Sequence, residues 1–156
     1  DLGPLVHAAY AELTGVDDPV ELRYEAAWRN DDMMTVLAEC RDVDVRRGVS
    51  TVGPHRDDLG VWLAAMPSRT HASQGEQRSL ALALRVAGHR LVTRSLDEPP
   101  MLLLDDVFSE LDPSRCRSLL HALGDAQAVL TTASELPPGA EPDVVLAVSG
   151  GGIRSV

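Results

Sequence analysis

No lysine occurs among the 156 residues; all 14 basic side chains are arginine. A phosphate-binding loop of the form GxxxxGK[ST] needs a lysine to reach the β- and γ-phosphates, so this chain cannot contain one. A phospho-acceptor receiver domain, which needs a lysine beside its aspartate pocket, is excluded by the same absence. Aromatic residues are scarce, and one Phe, two Trp and two Tyr cannot furnish the stacking platform of a single-strand binder. No apolar run approaches the ~18–20 residues of a membrane span, and no charged-then-apolar leader opens the chain. The two cysteines, Cys40 and Cys116, are too few and too far apart for a disulfide framework or a zinc site. They read as packing residues of a cytoplasmic protein.

What is present suits one folded domain with its own core. The net charge of −10 is unevenly spread. Residues 1–50 carry 11 acids against 5 arginines, residues 51–100 carry 5 against 6, and residues 101–156 carry 8 against 3. Nucleic-acid affinity rests largely on basic side chains neutralising phosphates, so the chain alone is a poor candidate for an autonomous DNA-binding module.

Hydrophobic spacing predicts a helix over residues 1–16 that stops at Gly15, and alternation predicts a strand over 20–28. Asp31 or Asp32 caps a helix to about Val45, with Met33, Val36, Leu37 and Cys40 inward. Gly53-Pro54 marks a turn before a strand over 59–66. Ser73 opens a long helix over roughly 75–95, with Leu80, Leu82 and Leu84 in the core. Met101–Leu104 and residues 128–133 read as buried strands of a parallel sheet. Between them, Asp112-Pro113 supplies the N-cap and first-turn proline of a helix to about Leu123. Residues 143–156 form a terminal hairpin around three glycines. From residue 72 the order is helix, strand, helix, strand, hairpin, an α/β layering.

Chemistry concentrates at two places. In MLLLDDVFSELDP, Asp105 and Asp106 stand just past the carboxyl end of a strand, where open α/β sheets bind ligands. Adjacent carboxylates repel unless a cation or a shared proton relieves them. A Mg²⁺ held by one acid and by phosphates would do so, leaving the other to orient water; the alternative is a strand ending in an Asp turn. In ASQGEQRSLALAL, a helix N-terminus suits an anion, Gly75 admits close approach, and the Ser73 hydroxyl adds a donor. Ser73 and Glu76 also fit a capping box, which gives no reason for Gln74, Gly75 and Gln77. In GPHRDD (53–58), His55 and Arg56 could contact nucleotide or DNA, and Asp57 and Asp58 could pair with arginines; a structural turn is the alternative. Arg78, Arg85 and His89 share a helix face, either solvated or an interface.

ASQGEQR resembles the signature motif of ABC-type and SMC-like ATPases, whose common form is LSGGQ followed by a polar residue and Arg. Ser73, Gly75 and Arg78 match that form; Gln74 and Glu76 depart from it. LLLDDVFSELD is similar to a Walker B strand followed by a D-loop. With TVGPHRDDL, SQGEQR and DDVFSELD in this order, the chain from about residue 20 onward resembles the RecF family of bacterial DNA replication and repair proteins.

The resemblance implies a fold, an activity and residue roles. The fold is the C-terminal part of an ABC/SMC-like P-loop ATPase head, a parallel sheet flanked by helices with a terminal hairpin. Residues 1–48 would be the end of a mostly helical lobe and 49–156 the head. Asp105 would hold Mg²⁺, and Asp106 would act as general base where many ABC ATPases have Glu. Ser73, Gly75 and Gln77 would contact ATP bound to the other subunit of a homodimer. Ser109, Glu110, Leu111 and Asp112 would form the D-loop. Thr131 and Thr132 stand where ABC proteins usually have a His switch; threonine cannot shuttle a proton, which implies slow hydrolysis. The intact protein would be a slow, DNA-stimulated ATPase in recombinational repair, replication restart and the SOS response. It would bind single-/double-strand junctions, work with RecR and RecO, and help to load RecA. The P-loop lies outside this chain, which is therefore expected to be inactive alone; the rival reading is a non-catalytic dimerisation or partner-interaction domain.

Overall fold

The computed structural model describes residues 1–96, 98–124 and 126–156. The first helix, α1 (Gly3–Thr14), buries Leu5, Val6, Ala9, Tyr10 and Leu13, the three- and four-residue spacing of one helix face. It ends where Gly15 takes a left-handed φ of 72° and donates its N–H to Ala11 O, a geometry that costs glycine little. α1 packs against α4 (Gln74–Leu96) and α5 (Pro113–Leu123). α4 contributes Leu80, Ala83, Val86 and Ala87, and α5 contributes Cys116 and Leu119. Alanines 9, 83 and 87 are fully buried and let α1 and α4 approach closely. Ser79, the buried polar residue in this core, is satisfied by its own helix, its Oγ donating to Gly75 O at 2.9 Å. One core thus spans α1, α4 and α5, across the boundary placed at residue 48.

Strands β1 (Val20–Glu25), β2 (Asp58–Leu63) and β3 (Met66–Pro67) form an antiparallel sheet, with Val20 opposite Leu63 and Glu25 opposite Asp58. Two strands are shorter than their alternation suggested. Residues 26–30 leave the sheet in turns, so the first strand stops at Glu25. The second stops at Leu63 because Ala64 and Ala65 adopt φ of 47° and 64° and turn the chain back into β3. A two-residue hairpin loop with positive φ at both positions normally uses Asn or Gly. Alanine carries no such signal.

α2 (Met33–Arg47) starts at Asp32, whose carboxylate accepts from Thr35 N at 3.0 Å. Met33, Val36, Leu37 and Cys40 are only half-buried, and the helix has no fully buried residue. Its C-terminal end is tied by Asp44, which accepts from Thr51 N at 3.0 Å and Thr51 Oγ1 at 2.6 Å.

The α/β part has the expected order. After α3 (Ser68–His71) and α4 come β4 (Leu102–Asp105), α5 and β5 (Ala128–Thr131). β4 and β5 pair in parallel, Leu102 opposite Ala128 and Asp105 opposite Thr131. These strands are not buried on both faces as their apolar runs suggested. Leu104 faces the core, whereas Leu103 is 74% and Val129 48% exposed. A parallel strand pair normally has both faces covered; here one face lies open. The terminal hairpin β6 (Leu146–Ser149) and β7 (Gly152–Ser155) turns at Gly150 and Gly151, both with positive φ.

Candidate functional site

β4 delivers Asp105 to the end of its strand, and the chain then turns sharply at Asp106, whose φ of 50° is left-handed. Aspartate tolerates that region better than most side chains. The register brings Thr131 opposite Asp105. Its hydroxyl donates to Asp105 Oδ1 at 2.5 Å and accepts from the Asp106 N–H at 3.1 Å. The same N–H lies 3.2 Å from Thr131 O. One threonine therefore fixes the first carboxylate and the backbone of the second residue.

Both acids are exposed. Asp105 is left with a second oxygen for a cation, and Asp106 with its carboxylate in solvent. Among the described residues no three His, Cys, Asp or Glu side chains stand together as a metal site. The donor set fits an ion held by one carboxylate and completed by phosphate oxygens and water, the usual manner of Mg²⁺. Thr132 turns elsewhere, its Oγ1 3.2 Å from both the hydroxyl and the N–H of Ser134. It lines a groove with Ser109, Leu111 and Leu136.

At the start of α4 the capping box forms in full. Ser73 N donates to Glu76 Oε2 at 2.6 Å, and Glu76 N donates to Ser73 Oγ at 3.3 Å. The Ser73 hydrogen bonds hold the Glu76 carboxyl below its ordinary value. The cap uses Ser73 Oγ as an acceptor, and its hydroxyl also meets the Glu76 carboxyl. Gln77 is exposed and bends back toward α3, its amide donating to Ser68 O at 3.2 Å and Ala72 O at 3.0 Å. It anchors α3 to α4. A Cβ on Gly75 would sit 3.3 Å from Arg115 Nη1, so glycine there leaves room for a guanidinium over the helix entrance.

Beyond Asp106 the chain makes a 3₁₀ turn, Val107–Glu110, pinned by buried Phe108 and by Ser109 Oγ donating to Asp106 O at 2.9 Å. Leu111 is half-buried, and Asp112 caps α5 by accepting from Ser114 N at 2.9 Å and Arg115 N at 3.1 Å. Arg78 reaches this turn: its Nη2 lies 2.8 Å from Glu110 Oε2. The three basic residues of one α4 face have separate fates. Arg78 is paired, His89 Nε2 lies 3.0 Å from Pro100 O, and Arg85 is exposed.

Residues 53–58 form a structural clasp. Gly53 is buried with φ of 135°, a value essentially reserved for glycine. Arg56 Nε donates to Ser50 O at 3.0 Å. Asp57 accepts from the Tyr24 hydroxyl and from Trp28 Nε1, the latter at 3.1 Å, in place of the expected arginine. Asp58 does meet one, Arg69, at 3.8 Å. Half-buried Trp62 is covered by the Arg23 guanidinium, 3.7 Å from its ring centroid.

No family model matches the chain. It is similar to the DNA replication and repair protein RecF of Symbiobacterium thermophilum, 39% identical over 146 residues, covering 86% of this chain and 39% of that protein. The RecF proteins of Gloeothece citriformis and Acidothermus cellulolyticus are 34% and 37% identical, over 98% and 89% of this chain and 43% and 42% of theirs. A solved structure of the recombination mediator protein RecF-ATPrS in the RecFOR pathway superposes with a TM-score of 0.82 at 25% identity, covering 99% of this chain and 43% of that one. The corresponding RecF-ATP structure gives 0.79 at 26%. The chain spans about two-fifths of the length of the relatives it matches, and the match lies in their C-terminal part.

Proposed function

This chain belongs to the RecF family, matching its C-terminal part, and from that premise we propose that it forms the signature, Walker B and D-loop portion of an ATP-dependent DNA-binding switch. One observation carries the reading. The Asp105–Asp106 pair and the Ser73–Gly75 entrance are both surface features around one core, each with hydrogen-bonding capacity left unused by the fold. Two copies related by a two-fold axis would bring the entrance of one to the acids of the other, with a nucleotide between them.

Ser73 and Gly75 bind the γ-phosphate in trans: the hydroxyl donates, and the first N–H groups of α4 lack intrahelical acceptors. Gln77 serves by holding the α3–α4 junction. Asp105 is the residue that would hold Mg²⁺, which supplies charge neutralisation on the phosphates. Asp106 orients or deprotonates the attacking water; its left-handed backbone turns it out of the strand. Ser109–Asp112 lie at the subunit interface, and Thr131 and Thr132 replace a proton-shuttling histidine, so hydrolysis is slow. Residues 49–156 carry this machinery, and α1, although it precedes residue 48, shares their core. The P-loop comes from chain outside these residues, which hold no lysine. The open face of β4 and β5, with Leu103 and Val129, suits a helix or second layer packed on the sheet.

The intact protein would dimerise on DNA at single-/double-strand junctions and act with RecR, RecO and RecA. Two relatives of known structure are described as a recombination mediator bound to ATP or an analogue, which supports this line. The test is Asp106→Asn in the full-length protein, with dimerisation followed by light scattering at saturating ATP. We expect a dimer that persists instead of decaying with hydrolysis. A variant that stays monomeric while the parent dimerises would count against the role given to Asp106.

A further inference from the structure

The side chain of Arg78 crosses from the start of α4 to the D-loop, where its Nη2 lies 2.8 Å from Glu110 Oε2. Arg78 sits less than one turn past Gly75, and Glu110 closes the 3₁₀ turn whose other end abuts Asp106. Ser109 Oγ ties that turn to Asp106 O at 2.9 Å, and Thr131 ties Asp106 to Asp105. A continuous path of packed and bonded groups therefore runs from the Ser73–Gly75 entrance through Arg78 and Glu110 to the acids.

Of the other ion pairs of α4 and α5, one supports the same link and one does not. Arg90–Glu12 joins α4 to α1, whereas Arg115, 3.6 Å from Asp112, also lies over the α4 entrance at Gly75 and backs the Arg78–Glu110 contact. Both Arg78 and Glu110 are about half exposed. Water screens such a pair, so it holds weakly in the open chain. A twin copy covering this face would exclude water and strengthen the attraction. Such a pair would then strengthen on assembly, as a coupling element must.

We propose that Arg78 is a positioning residue that fixes the D-loop against the signature helix, so that occupancy of one nucleotide site is felt at the other. This rests on the two-fold reading above, in which the entrance and the acids of one chain face different nucleotides. The coupling needs a physical chain between the sites, and the Arg78–Glu110 contact supplies its cross-element step.

The experiment uses the full-length protein carrying Arg78→Ala, Glu110→Arg, or the charge swap Arg78→Glu with Glu110→Arg. ATP-dependent dimerisation and the Hill coefficient of hydrolysis are read together, with amide exchange at residues 107–111 measured without ATP. Each single variant is expected to raise the ATP needed for half-maximal dimerisation roughly fivefold or more, to bring the Hill coefficient toward one, and to speed exchange in the turn. The swap should restore all three. Parent protein that never assembles with ATP overturns the functional reading and the coupling with it. Parent protein that assembles, with single variants that keep its Hill coefficient or a swap no better than either single, overturns the coupling alone.

Discussion

Thr131 Oγ1 lies 2.5 Å from Asp105 Oδ1, although 26 positions separate the two in the chain. The parallel register of β4 and β5 sets them opposite, and the same hydroxyl receives the Asp106 N–H. Of the two adjacent threonines, only Thr131 is built into the acid pair; Thr132 turns to Ser134.

Thr131→Val keeps the side-chain shape but removes the donor and acceptor. It should cost about 1 kcal/mol of folding stability, the usual worth of a hydrogen bond, and Thr131→Ser should recover most of it. Urea unfolding of the three proteins measures this. A serine variant no more stable than the valine variant would refute the hydroxyl's role.

The two duties of Ser73 can be separated. Ser73→Ala should destabilise by about 0.5–2 kcal/mol through loss of the cap. Ser73→Asp keeps a good cap but sets a negative charge at the anion site. Its melting temperature should stay near that of the parent while ATP-driven dimerisation of the full-length protein is lost. Retained dimerisation in the aspartate variant would show that no phosphate approaches this entrance.

Leu119 and Leu103 should respond oppositely to truncation. Leu119 is 1% exposed, so Leu119→Ala should cost about 2–5 kcal/mol. Leu103→Ala should change the stability of this chain by less than about 0.5 kcal/mol, yet be markedly destabilising in the full-length protein if a further layer of chain packs on this face. Denaturant midpoints in the two contexts decide the point.

Two capping carboxylates give the chain an acid sensitivity. The hydrogen bond from Ser73 holds Glu76 below its ordinary value, and that from Ser114 does the same for Asp112. Because folding lowers both, their contribution is complete above the unfolded carboxylate range of about 4 and is lost as pH falls through the lower folded values. Glu76→Gln with Asp112→Asn keeps polar caps without titrating groups. Between about pH 5 and pH 3, its melting temperature should fall less than the parent's. Parallel curves would remove these caps from the acid response.

Several elements were legible because local chemistry determines them. Gly15, Asp32, Ser73 with Glu76, and Asp112-Pro113 mark helix ends by hydrogen bonds made within a few residues, and such bonds are written in short windows. The turn at Ala64-Ala65 was not legible, since alanine gives no sign of positive φ. Nor was the partner of Asp57, because the Tyr24 and Trp28 donors come from 33 and 29 residues away.

By itself the sequence determined the approximate ends of the four long helices, the carboxylate pair at the end of an apolar strand, and the impossibility of a lysine-bearing phosphate loop. These depend on residue identity and near-neighbour spacing alone. Tertiary structure decided which threonine meets Asp105, that the Gln77 amide ties back to Ser68 and Ala72, that Arg78 grips Glu110, and that the β4–β5 pair leaves one face open. Each of those is a contact between groups far apart in the chain, fixed by strand register and helix packing, which no local pattern encodes.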